Sequence, residues 1–151
     1  MAEEQIPAWP LYANTVFGIL YLIVAILYTL SGFGLILPLP ASDDVIGSLM
    51  LFIVSVVYLA GIKPLMRGLK DGYAFTLVAT VLAAILFVLH LIVFATDALG
   101  WILGLENWLN WAPLGSLSPA IWLFGMILVG IAILRLTDRM GGEKGIFPIG
   151  G

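Results

Sequence analysis

Residues 73–95 read YAFTLVATVLAAILFVLHLIVFA, 23 consecutive residues with no Asp, Glu, Lys or Arg and a single histidine, His90. A helix needs about 20 mostly apolar residues to cross a hydrocarbon core of roughly 30 Å. A stretch so long and so uniformly apolar reads as a membrane span. Asp71 and Gly72 start it, and Asp97 and Gly100 mark its expected end.

Three more stretches qualify on either side of it. The first covers 11–37, opened by Pro10 and closed by Pro38 and Pro40. The second covers 45–62, with Ser42 as N-cap, Asp43 and Asp44 in the first turn, and Lys63 and Pro64 as the stop. The fourth covers 119–136, with Ser118 as N-cap, Pro119 at the first helical position and the Gly141-Gly142 pair beyond it. Composition agrees with four spans. The 151 residues are 62% hydrophobic and 10% charged, against about 45–50% and 25% in soluble domains. A globule of this size has too little interior to hide so much apolar surface. A soluble enzyme, a disordered tail and a nucleic-acid binder are excluded as first readings.

The fold class expected is all-α: a polytopic membrane four-helix bundle forming one domain over residues 1–151. Span one does not read as a cleaved signal, which carries a basic n-region and an apolar core of about 7–15 residues. Glu3 and Glu4 precede it, no Lys or Arg does, and its apolar run is 27 residues long. It is expected to stay as a helix.

The few bases give an orientation. Lys63, Arg67 and Lys70 fall in the central loop, and Arg135, Arg139 and Lys144 near the C-terminus; the other two loops contain no Lys or Arg. Four spans put the central loop and both termini on one side, and the positive-inside rule makes that side cytoplasmic. The expected location is the cell membrane, with the lipid bilayer as the first partner and no nucleic acid.

Two loops have texture. In KPLMRGLKDG the bases recur at i, i+4 and i+7, opposite Leu65, Met66 and Leu69. That suits either a segment lying on anionic lipid heads or, more simply, a solvated turn that fixes topology. In the third loop, a wheel over 98–112 stacks Trp101, Leu105, Trp108 and Ala112 on one face, with Glu106, Asn107 and Asn110 opposite. A short amphipathic interfacial helix is expected there, anchored by Trp101, Trp108 and Trp111. The tail ends in Ile146, Phe147 and Ile149, an apolar knot able to dock on a partner.

Helices associate in lipid through small residues and side-chain hydrogen bonds. Gly18, Ala25 and Gly32 recur at heptad spacing in span one, and Ala79 and Ala83 lie four apart in span three. Gly47 and Gly61, with Ser48 and Ser55, serve span two; Gly125 and Ala132 serve span four. At 27 residues, or about 40 Å, span one exceeds the core. A kink or fray at Ser31-Gly32-Phe33-Gly34, or tilting, would absorb the excess and open a crevice toward the tryptophan loop.

Chemistry is scarce. His90 is the one readily ionisable group inside a span, and it lies toward the outer boundary, which favours a structural role. Its functional alternatives are a cofactor contact as haem ligand, with Met50 or Met126 as the second ligand, a quinone hydrogen bond, or a proton relay. No paired histidines for a metal, no phosphate loop and no nucleophile elbow occur. The expectation is therefore not an enzyme, with no cofactor. It is a non-catalytic auxiliary or structural subunit that packs against other membrane subunits or against itself. A transporter or binder of a lipid or quinone in the crevice is the competing class, and a haem-bearing redox subunit the third.

Overall fold

Pro10 stands in the first turn of α1 (Trp9–Gly32), where its fixed φ fits and its missing N–H has no intrahelical partner to lose. The computed structural model describes residues 7–34 and 45–141. Glu3, Glu4, Pro38, Pro40, Ser42, Asp43, Asp44, Gly142, Lys144 and the apolar tail lie outside them. α1 stops at the Ser31–Gly34 break, short of the expected residue 37. Gly34 turns the chain at φ +88°, and its N–H bonds the Ser31 carbonyl at 2.9 Å.

α2 (Val45–Met66) runs through the Lys63-Pro64 pair that was expected to end it. Proline costs a helix one backbone bond, and so near the end little follows that bond. The stop comes at Gly68, at φ +70°. Its N–H bonds the Leu65 carbonyl at 3.0 Å while Leu69 N–H bonds the Pro64 carbonyl at 3.0 Å, a Schellman closure. Residues 67–70 are thus a tight turn rather than a surface helix.

α3 (Asp71–Ile102) is the longest element, at 32 residues. It passes Asp97 and Gly100 and ends at Gly104, φ +66°, with a second Schellman closure: Gly104 N–H to Trp101 and Leu105 N–H to Gly100, both at 3.1 Å. The expected helix over 98–112 is therefore not one element. Its first residues finish α3, and only a 3₁₀ turn, Glu106–Trp108, follows. α4 (Pro119–Gly141) starts as expected, with Ser118 Oγ accepting from Ala120 N–H at 3.3 Å, and extends past residue 136.

All four helices are long and apolar enough to cross a membrane, and no strand occurs among the described residues. They pack in ring order. α1–α2 is the largest interface and α2–α3 the next; α3–α4 and α1–α4 are thinner, and contact across the α1–α3 diagonal is slight. Because each helix is apolar all round, hydrophobicity alone does not select the inner face. Size and shape do. α1 turns Ala13, Phe17, Tyr21, Val24, Ala25 and Tyr28 inward and leaves Val16, Ile19, Ile23 and Ile26 outward. The core closes around Leu51, Val54 and Tyr58 of α2, Ala79 and Ala83 of α3, and Leu123 and Ile127 of α4. Tyr58 sits at its centre, its ring 6.1 Å from Phe17 and 6.2 Å from Tyr21; Phe87 stacks on Phe124 at 4.9 Å to join α3 to α4.

Candidate functional site

His90 is half-buried on α3, with Nδ1 2.9 Å from the Leu86 carbonyl. A carbonyl oxygen only accepts, so Nδ1 is the donor in this bond. The ring borders a small cleft shared by Tyr28 of α1, Leu51 of α2, Leu86 of α3, and Ser118 and Pro119 at the start of α4. The room in it, measured to the centre of a water molecule, is about 10 Å³. Met50 and Met126, the expected second haem ligands, are 41% and 48% exposed and do not border it. The tryptophans do not border it either, so it is distinct from the expected crevice toward the tryptophan loop.

The sequence reading missed a second polar feature, a seam where α1, α2 and α3 meet. Asn14 of α1 is completely buried and accepts from Thr76 Oγ1 of α3 at 2.8 Å. Its Nδ2 lies against the Cα of Gly61 on α2 and has no partner among the described residues. Four residues further along α3, Thr80 donates to the Thr76 carbonyl at 2.7 Å. Thr80 has one proton and spends it there, so Tyr58 is the donor in the 2.9 Å bond between their hydroxyls. Ser55 donates to the Gly18 carbonyl at 2.9 Å, and Thr29 reaches Ser48 at 3.2 Å. These bonds tie α1 to α2 and α2 to α3. None of the groups in the seam is acidic or basic, and the seam works as interhelical glue.

At the far end the tryptophans fold onto α3 instead of forming one helical face. Trp108 Nε1 donates to Asp97 Oδ1 at 3.0 Å, and its indole lies on Gly100, where a Cβ would come within 2.9 Å of the ring. Trp111 packs on Phe94 at 5.3 Å and on Trp101 at 6.2 Å. Trp101 is half exposed. Asp97, expected only as a stop signal, is the hydrogen-bond acceptor that brings the loop back.

The described bases gather at the opposite end. Lys63, Arg67 and Lys70 surround the α2–α3 turn, and Arg135 and Arg139 close α4. Arg135 places its guanidinium 4.9 Å from the centre of the Trp9 ring, whose edge meets Tyr73 at 5.5 Å. That trio joins the start of α1 to the end of α4 and the start of α3.

The small residues divide by face. A Cβ on Gly18 would come 2.7 Å from Leu59, and one on Gly32 would come 3.1 Å from Val45, so both glycines lie in the α1–α2 contact. Ala25, Ala79 and Ala83 are buried. On α4 the close approach is at Gly130, where a Cβ would meet the Phe17 ring at 2.6 Å, whereas nothing lies within 4 Å of one on Gly125. Gly125 and Ala132 both face outward.

Comparison with known proteins bears on this arrangement. A family model described as the MJ0565 integral membrane domain matches residues 9–137, from the first residue of α1 nearly to the end of α4. A protein of Methanocaldococcus jannaschii with the printed name "Uncharacterized protein MJ0565" is 31% identical over 126 residues, covering 82% of this chain and 83% of its own. No solved structure matches the chain.

Proposed function

This chain belongs to the MJ0565 integral membrane domain family, and from that premise we propose that it is a non-catalytic helix-packing subunit, joined in the membrane to other subunits or to copies of itself. The observation that supports this reading is the outward face of α4. Gly125 is exposed with nothing within 4 Å of its Cβ position, and exposed Ala132 follows one heptad on. Glycine is disfavoured in a helix relative to alanine, and in lipid its use is to let a second backbone approach. Gly18 and Gly61 serve that use inside the bundle, and Gly130 makes room there for the Phe17 ring. Gly125 has no such neighbour among the described residues, so an incoming helix accounts for it. Native mass spectrometry from mild detergent should show an assembly, and Gly125→Leu should dissociate it while helix content and melting temperature stay unchanged. A parent protein that runs as a bare monomer overturns the reading.

The proposal sets the basic end in the cytoplasm of a cell whose plasma membrane holds the protein, because Lys and Arg are retained on that side. The chain has no cysteine, so single replacements report cleanly. In intact cells an impermeant maleimide should label Asn107→Cys and leave Arg67→Cys untouched until the membrane is opened. The opposite pattern would invert the topology.

The other readings draw less support. A cleft of about 10 Å³ is far below the roughly 300–1,000 Å³ of pockets that hold drug-sized ligands, which disfavours a quinone or a lipid chain there. The haem reading would need a second ligand from outside the cleft, since Met50 and Met126 do not border it.

A further inference from the structure

We propose that the amide of Asn14 fastens all three helices of the seam at once, turned so that Nδ2 donates to Thr76 Oγ1 and Oδ1 rests on a Cα hydrogen of Gly61. Asn14 is 0% exposed, so bulk water does not complete its hydrogen bonds. An amide has an acceptor end and a donor end of nearly equal size, and its partners decide which way it faces. With Oδ1 toward Thr76, at 2.8 Å, Nδ2 is left against Gly61 and finds no acceptor among the described residues. The group it meets there is a Cα–H, which can only donate. Two hydrogen-bearing groups thus face each other away from water, the costly arrangement for a buried donor.

A half-turn about χ2 removes both faults and moves no helix. Nδ2 then takes the position 2.8 Å from Thr76 Oγ1, within the N–H···O range. Thr76 is able to accept there because its own proton has a second outlet, the Gly72 carbonyl at 3.3 Å. Oδ1 moves onto Gly61, and Cα–H···O contacts of this kind recur at helix–helix interfaces. A Cβ on Gly61 would fall on the amide in either orientation, so the glycine supplies both the room and the C–H donor. Donation then runs from α1 through Thr76 to the start of α3, while α2 answers the oxygen. The bonds Ser55–Gly18, Thr29–Ser48 and Tyr58–Thr80 each join one pair of helices. Asn14 joins two pairs with the two ends of one side chain.

The full chain in nanodiscs provides the test. Asn107 and Asn110 are exposed, and replacing both with Gln leaves Asn14 as the one asparagine. Labelling with ¹⁵N-asparagine then reports a single side-chain amide. The Nδ2 protons should give their strongest through-space cross-peak to Thr76, with the peaks to Gly61 Hα several-fold weaker. Thr76→Val removes the acceptor at nearly constant shape and should move the bonded Nδ2 proton upfield. Strongest peaks to Gly61 Hα, peaks of equal strength to both residues, or an Nδ2 proton unmoved in Thr76→Val each overturn the assignment. Should the valine variant fail to fold, the cross-peaks of the seam with Thr76 in place decide alone.

Discussion

Gly61→Ala should lower the stability of the bundle by about 3 kcal/mol, the upper range for an inserted methyl that a packed core cannot absorb. The new Cβ would fall on Asn14 Nδ2 and lie 2.8 Å from Phe75 Cβ and 3.4 Å from the Gly72 carbonyl. Phe75 Cβ and the carbonyl are tied to backbone, and Asn14 is sealed in the three-helix seam, so relief requires α2 to move away from both neighbours. Gly18 and Gly130 provide the contrast. Their closest obstacles are the tips of Leu59 and Phe17, at 2.7 and 2.6 Å, and a tip can rotate. Gly18→Ala and Gly130→Ala should therefore cost less, and Gly125→Ala, with nothing within 4 Å, should cost nothing measurable. Thermal unfolding in one mild detergent ranks the four. A Gly61→Ala protein that melts with Gly125→Ala would show that the seam is loosely packed.

Tyr58→Ala should be still more damaging, by roughly 3–5 kcal/mol, the range for removing a large aromatic from a core. Tyr58 has 0% exposure and meets Phe17, Tyr21 and Thr80, so its loss opens a void between the helices that share the largest interfaces. Tyr58→Phe isolates the hydroxyl. Thr80 keeps its own bond to the Thr76 carbonyl at 2.7 Å, no donor is stranded, and the cost should be about 1 kcal/mol or less. The pair of variants thus separates ring packing from hydrogen bonding. Equal melting temperatures for the two would place the stabilisation in the hydroxyl instead.

Both predictions fall on residues whose importance the sequence shows only in part. The four spans are legible because crossing a membrane is a matter of composition over about 20 residues. Helix ends are less legible, since the residues that stop a helix act in context. Pro64 is tolerated because it falls in a last turn, and Gly100 continues α3 because the Trp108 ring lies on it, which no local pattern encodes. The stops actually used, Gly68 and Gly104, were in plain view as glycines but competed with Lys63-Pro64 and Asp97 for the role. The tryptophan loop fits a helical wheel in one dimension, yet Asp97 offers Trp108 a hydrogen bond that folds the segment back.

The polar sites divide in the same way. His90 stands out by chemistry, as the one readily ionisable group in the apolar run of a span. Asn14 does not, since one amide near the start of an apolar run looks like an interfacial residue until Thr76, 62 positions later, is brought against it. Heptad spacing identified Gly18 as a small residue on a packing stripe, but it could not tell Gly125 from Gly130. Periodicity marks a stripe on a helix, and only the neighbours decide which stripe faces in.

The ring order of the interfaces also bears on how the chain is made. The largest contact, α1 with α2, is complete within the first 66 residues. Phe17, Tyr21, Ser55 and Tyr58 have all been synthesised by then, so the aromatic centre can close as a hairpin before α3 exists. α3 then adds to α2, and α4 arrives last. Each of these steps closes a short loop, where the entropic cost is least. The contacts of α4, with Phe17 of α1 against Gly130 and Phe87 of α3 against Phe124, must wait until that helix is made.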